Sequence, residues 1–432
     1  MPTTRGWLVA SIGLGLVIAN RAFGAEALGQ IGLALIVLVI AAVTVVRSGR
    51  HDLQLSRTIQ PFRIGAGKTV TVTIDITNRG RGSAPLLLLE DFVPAQLSMR
   101  ARFAFTGVEA RGKRQASYKL RPLLRGRYRI GPFEISYLDP FSLARRKASV
   151  GEGSDLLVHP KIEKLTMPRD LGERRSLSLS AMRRPTGSEG EDFYTLREYI
   201  EGDDLRKIHW PSTAKKQRYM IRQEETPWHN RATLVLDDRR AAHPSQSDSY
   251  ERAVEAIASV ADLYHRAGFT FRLTGAHEPG LPSARGADHY SRCLDLLATI
   301  GLRSPTKSGL SSDDPLLLAR FAELQARRSA EGVLVLAAGD LTPEIAVALA
   351  RLRRSYRQVI VISFPSHRFG TGDTRTRWEG ETRTVEAVQV LARSGVRAIV
   401  LGPGDHLRNA WGSLTRAAAG GEQQWEQKPE RV

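Results

Sequence analysis

Acidic, basic and aromatic side chains crowd together between Gly187 and Glu225. Glu189, Glu198, Asp203 and Asp204 alternate with Arg197, Arg206, Lys207 and Lys215, and Tyr199, His209 and Trp210 are interleaved with them. Carboxylates in such company can do general acid–base work. The same mixture also builds partly buried ion-pair networks, because a buried charge must be paired. Two readings follow: an interdomain connector stapled by its charges, or a site, either a docking surface or a catalytic cluster. Gly187 and Gly190 open the stretch as a loop, and Gly202-Asp203-Asp204 reads as a turn. Asp203 or Asp204 is expected to cap a short helix near Leu205, Trp210 to be a buried anchor, and Tyr219 to Glu225 to form a strand.

Other chemistry is excluded by spacing. The histidines, His209, His229, His243, His265, His277 and His289 among them, show no His-Glu-x-x-His pattern, and His209 is expected to be a hydrogen-bonded structural residue. No Gly-x-Ser-x-Gly elbow and no Gly-rich dinucleotide fingerprint is present. Gly65-Ala66-Gly67-Lys68-Thr69 imitates the end of a phosphate-binding loop. The required earlier glycine would fall at Phe62, and a strand pattern follows where a helix N-terminus is needed. The single cysteine, Cys293, cannot form an internal disulfide and sits in a helical pattern as a small apolar residue.

The elements that carry these residues are legible from patterning. The 432 residues suggest about two or three domains, and 42% hydrophobic with 25% charged residues suits globular cores. Two apolar runs, Trp7 to Ala19 and Leu28 to Val46, open the chain as a transmembrane hairpin over 1–50. A cleaved signal peptide is the alternative for the first run. Arg5, Arg47, Arg50, Arg57 and Arg63 place the remainder in the cytoplasm by the positive-inside rule, in a multi-pass protein of the cell membrane with the lipid bilayer as a partner. Residues 51–160 alternate with period two, as in Val70, Val72, Ile74 and Ile76, and predict a β-sandwich. Residues 161–230 read as a connector that begins with a polar linker, and 231–419 alternate strands and helices as an α/β domain with a mostly parallel sheet. The tail, 420–432, reads as disordered.

The net charge of +18 suits nucleic acid, an anionic membrane surface or an acidic protein. The basic residues are spread over every region and no nucleic-acid-binding signature appears, so no nucleic-acid partner is expected.

The string Gly-Ser-Glu…Phe…Leu-Arg-Glu-Tyr…Gly-Asp-Asp…Arg-x-Ile-His-Trp…Ala-Lys, from Gly187 to Lys215, resembles the signature of the bacterial family called domain of unknown function fifty-eight. Arg125-Gly126-Arg127-Tyr128, Gly131-Pro132 and Asp139-Pro140-Phe141 resemble the same family. The resemblance implies a membrane-anchored protein whose α/β part is von Willebrand A-like, of Rossmann type. It implies an adaptor or scaffold that works with a MoxR-type AAA+ ATPase in cell-envelope processes or in assembly of protein complexes. The alternatives are a hydrolase using acidic residues of 187–225, and a basic binder of nucleic acid or anionic membrane. Relatives often carry Asp-x-Ser-x-Ser after the first strand, where the aspartate and hydroxyls help hold Mg²⁺. Here the string is Asp237-Asp238-Arg239-Arg240-Ala241, with Arg239 and Ala241 at the serine positions. A guanidinium supplies only donors and a fixed positive charge, so Asp237 and Asp340 are expected to pair with Arg239, with no cofactor or metal.

Overall fold

The structure, a computed structural model, describes residues 1–48, 52–84, 87–97, 100–105, 107–167, 194–199, 208–224, 231–243, 248–303, 314–326, 331–369 and 374–416. The chain divides into two compact units, Met1–Lys161 with Leu297–Thr299, and Ile162–Leu296 with Ile300–Val432.

The first unit opens with α1 (Thr4–Phe23) and α2 (Glu26–Ser48), both long and apolar enough to cross a membrane. Thr3 caps α1 by accepting from the Gly6 amide, and Gly24, at φ 69°, closes it with a bond to the Asn20 carbonyl. α1 therefore takes in Asn20 and Arg21, beyond the apolar run. The helices touch at glycines: a Cβ added to Gly32 would lie 2.5 Å from the Gly13 carbonyl oxygen. Small residues at a crossing let two apolar backbones approach closely.

Ten strands follow: β1 (Leu53–Gln60), β2 (Arg63–Gly65), β3 (Val70–Asn78), β4 (Leu87–Asp91), β5 (Ala101–Phe105), β6 (Lys113–Leu120), β7 (Gly126–Ile130), β8 (Phe133–Leu138), β9 (Arg145–Val150) and β10 (Ser154–His159). They form three sheets, ordered β1-β3-β6, β2-β10-β7 and β5-β4-β8-β9. Val70, Val72, Ile74 and Ile76 are buried, and the intervening threonines and Asp75 are half-buried, so the period-two pattern matches the pleat. All three sheets contribute to one apolar cluster that includes Ile74, Leu89, Tyr118, Ile130, Phe133 and Leu156. Arg57 runs through it. Its guanidinium pairs with Asp91, donates from Nη1 to the Ile130 carbonyl at 2.9 Å, and lies 4.0 Å from the Phe133 ring centroid. Tyr118 donates to Asp91 at 2.7 Å, so one buried carboxylate joins β1, β4 and β6.

The second unit begins with an irregular segment docked on the rest of the unit, where the sequence reads as linker. Leu165 is buried, Glu163 accepts from the Arg408 amide at 3.0 Å, and buried Trp411 donates to the Thr166 carbonyl at 3.1 Å. A hairpin of β11 (Tyr194–Glu198) and a later strand encloses α3 (Trp210–Lys216), the second strand being β12 (Met220–Glu224). Then come β13 (Arg231–Leu236), α4 (Asp248–Arg266), β14 (Thr270–Gly275), β15 (Leu281–Ala284), α5 (Ala287–Thr299), α6 (Asp314–Ala326), β16 (Glu331–Ala338), α7 (Pro343–Leu352), β17 (Tyr356–Ser363), α8 (Ser366–Phe369), α9 (Thr374–Arg393), β18 (Arg397–Val400) and α10 (Leu407–Arg416).

These strands form one six-stranded sheet, β15-β14-β13-β16-β17-β18, parallel throughout except at the β14–β15 edge. Leu234, Val235 and Leu236 are wholly buried in succession, as expected where helices cover both faces of a sheet. α6, α7 and α9 share a core with Val235, Leu336 and Val361, while α4 packs along β13, β14 and β16. Cys293 is fully buried in α5, and burial pushes its thiol up to about 12. β14 lies on one side of β13 and β16 on the other. The chain thus switches direction there and opens a crevice at the carboxyl ends of β13 and β16.

Candidate functional site

The loop after β13 enters this crevice as Asp237-Asp238-Arg239, and the loop after β16 as Gly339-Asp340. All of these except Gly339 and Asp340 are almost completely buried polar residues, a costly placement unless each finds partners. Each does. Arg239 grips Asp237 with two bonds, Nε to Oδ1 at 2.7 Å and Nη2 to Oδ2 at 2.6 Å. Its Nη1 reaches Asp314, the first residue of α6. One fork-shaped cation thus answers two carboxylates, where a divalent ion would need those same oxygens.

Asp238 faces the other way. Its carboxylate accepts from the amides of Ala276, His277 and Glu278 at 2.7, 3.0 and 3.0 Å, fixing the loop after β14. Asp340 differs from expectation, because it does not reach Arg239. It accepts from the Ser366 amide at 2.8 Å and from the Ser366 hydroxyl. The reason is the register of the sheet: β17 is the next strand out, and the turn into α8 brings Ser366 to Asp340. Ala241 lies in a 3-10 turn over Arg240–Ala242, exposed and without a donor oxygen in its side chain. Among the described residues no group of three or more His, Cys, Asp or Glu side chains gathers as metal ligands.

His243 completes the floor. Its Nδ1 shares a hydrogen bond with the Ser249 hydroxyl at 2.8 Å, and its ring packs edge-on against Tyr250, 5.4 Å between centroids. Its Nε2 has no hydrogen-bond partner among the described residues. Burial lowers its pKa, against the opposing pull of Asp237 and Asp340. A Cβ on Gly339 would collide with the Ala242 carbonyl and come within 2.8 Å of His243 Nδ1, so only glycine fits there.

Part of the charged stretch of 187–225 lies outside the described residues: Glu189, Asp203, Asp204, Arg206 and Lys207, with the expected helix near Leu205 and the side chain of Arg197. What is described is the hairpin and α3. His209 caps α3, its Nδ1 accepting from the Ser212 amide and sharing a 2.8 Å bond with the Ser212 hydroxyl. Its backbone amide donates to the Met220 carbonyl at 2.7 Å, which ties the cap to β12. Tyr199 packs edge-on against Tyr219 at 6.3 Å. Glu198 pairs with Arg218 at 3.0 Å, yet their side chains are 60% and 72% exposed, so this pair is solvated and not buried. Lys215 is exposed in the last turn of α3. Trp210 is also exposed, by 64%, and is not the buried anchor expected. The first turn of α3 buries none of its residues; among the described side chains of this hairpin, Ile208, Met220 and Ile221 are the buried apolar ones.

The sequence pattern missed Asp238, Asp314, Ser366 and His243. Asp314 carried a signal, since an acidic residue before proline marks a helix start. The others depend on which loops meet over the sheet.

Among solved structures, the C-terminal domain of wzt is 11% identical, covering 28% of this chain and 87% of that chain at a TM-score of 0.20. A CARDB domain from Pyrococcus furiosus is 14% identical, covering 25% and 93% at a TM-score of 0.19. Likeness at that level carries no argument. The chain is also similar to "Uncharacterized protein YeaD" of Bacillus subtilis (strain 168), 22% identical over 259 residues, which is 57% of this chain and 62% of that relative. Over residues 195–377 it matches the model of the family described as "Protein of unknown function DUF58".

Proposed function

We propose that the chain is a membrane-anchored adaptor or scaffold, facing the cytoplasm, that presents its second unit to a MoxR-type AAA+ ATPase. In this reading the ten-stranded region is a β-sandwich, the six-stranded sheet a von Willebrand A-like domain, and α1 with α2 a multi-pass anchor. The observation that carries it is the saturation of the strand-end aspartates: Asp237 and Asp314 by Arg239, Asp238 by three amides, Asp340 by Ser366. Carboxylates so committed stiffen loops and leave little capacity to hold a metal or move a proton. Exposed Trp210, set at the start of α3 by the His209 cap, supplies an aromatic of the kind that dominates docking energetics.

The test uses the full chain in native membranes. A MoxR-type ATPase added in purified form is expected to be captured by the wild-type chain and several-fold less by Trp210→Ala, with thermal stability unchanged. Absence of capture by the wild type overturns the partner. A reporter fused after Val432 is expected to read as cytoplasmic, and a readout from the opposite side of the membrane overturns the orientation.

A further inference from the structure

The first unit holds a cationic cavity that the adaptor reading does not explain and the anchor's flanking charge explains only at Arg47. It has a volume of about 940 Å³ and is lined by Met1, Pro2, Thr3, Thr4, Arg47, Arg145, Arg146 and Lys147. Four of the eight are basic and none is acidic. The chain is folded to hold them there. Residues 1–3 lie along the start of β9: Pro2 bridges Ala144, Thr3 donates to the Leu143 carbonyl at 2.8 Å, and the Arg145 amide donates to the Met1 carbonyl at 2.9 Å. From the other side, Val39, Ala42 and Val46 of α2 pack on Leu143 and Ala144, which brings Arg47 to the same place. A Cβ on Gly6 would strike the Leu143 carbonyl, so α1 lies directly on this turn.

Like charges held together repel, and an anion bound among them relieves that repulsion. Lys147 has Glu134 as an ion-pair partner, while Arg47, Arg145 and Arg146 are exposed and pair with no carboxylate among the described residues. The depth of the cavity identifies the counter-charge. Trp7, 63% exposed, sits one turn inside α1, and exposed Phe141 lies in the turn whose Ser142 carbonyl accepts from Thr3 at 2.7 Å. Aromatic rings collect at the membrane–water boundary, so the cavity falls at headgroup level. Arginine forks match phosphate oxygens in two-point bonds.

We propose that this cavity binds the phosphate of an anionic phospholipid headgroup, so that the end of the anchor selects its lipid. The proposal rests on α1 and α2 lying in a bilayer. Each basic residue near the surface adds to attraction, so three of them support a preference for anionic over zwitterionic lipid on the order of tenfold or more.

Purified full-length chain in detergent, offered equal phosphatidylglycerol and phosphatidylcholine and read by native mass spectrometry, is expected to retain the anionic lipid preferentially. The triple variant Arg47→Gln, Arg145→Gln, Arg146→Gln is expected to lose that preference. The triple variant Lys113→Gln, Arg114→Gln, Lys119→Gln, exposed on β6 of the same unit, is expected to keep it. Inorganic phosphate at millimolar concentration is expected not to displace the lipid. A wild-type chain without preference, equal loss in both triples, or displacement by inorganic phosphate each overturns the proposal, the first without needing any variant to fold. Carbonate extraction that frees the wild-type chain from membranes would instead overturn the anchor reading on which it rests.

Discussion

Arg239 and Asp237 form a two-pronged ion pair, 2.6 and 2.7 Å, with both side chains almost entirely shut off from water. Two residues apart in sequence, they close an ion-paired plug at the mouth of the parallel sheet. Arg239→Ala leaves Asp237 uncompensated and removes the cation that reaches Asp314. The expected loss is roughly 3–5 kcal/mol, the range for breaking a buried pair. Calorimetric unfolding of the full chain in detergent measures it, in the transition of the second unit. A loss under about 1 kcal/mol would mean that the pair is solvated.

The same plug predicts the response to Mg²⁺. Calorimetric titration is expected to show no Mg²⁺ binding that depends on Asp237 at about 1 mM, because Arg239 already holds both carboxylate oxygens. Binding that Asp237→Ala abolishes would refute this.

The Arg57–Asp91 pair of the first unit contrasts with the Arg218–Glu198 pair of the second. Arg57 and Asp91 are 1% and 0% exposed, whereas Arg218 and Glu198 in the second unit lie on the surface. Arg57→Ala strands Asp91 beside Tyr118 and removes the cation over Phe133, so a loss of about 3–5 kcal/mol is expected. Arg218→Ala is expected to cost less than about 1 kcal/mol. Equal effects in the two variants would contradict the burial argument.

His243 gives a pH dependence with a definite sign. Its pKa in the folded chain lies below the ordinary 6.5, since burial disfavours the cation more than Asp237 and Asp340 favour it, and Arg239 adds to the lowering. The unfolded chain therefore takes up a proton that the folded chain refuses. Its contribution is complete above about pH 6.5 and is lost as pH falls through the folded value. Melting temperature is expected to drop between pH 7.5 and 5.5, and the drop to shrink in His243→Gln compared with wild type. An unchanged slope would remove His243 as the cause.

The helix crossing offers a matched pair of glycines. Gly32 meets the Gly13 carbonyl, while a side chain on Gly15 would meet nothing within 4 Å. Gly32→Val is expected to part α1 from α2 and lower the amount of protease-resistant protein in membranes. Gly15→Val is expected to leave it near wild type, and similar losses in both would place the effect in lipid contact instead.

Much of this architecture was decided by local pattern. Thr69 to Thr77 alternates strictly because a half-buried strand shows opposite faces to core and water, and the apolar runs of α1 and α2 have the composition of helices that suit lipid. A guanidinium two residues after Asp237 was equally readable, since such a neighbour lies within reach of that carboxylate whatever the fold. Partners far apart in sequence were not. Asp314 reaches Arg239 across 75 residues, and Asp340 goes to Ser366 because the order of β16 and β17 brings those two turns together. The exposure of Trp210 was also a tertiary decision. Hydrophobicity argues for burying tryptophan, but the His209 cap and the bond from its amide to Met220 hold Trp210 on the open side of the hairpin. Residue type and spacing set the elements and their local pairs; which loops meet over the sheet, and which side chains that leaves in water, follows only from strand order and packing.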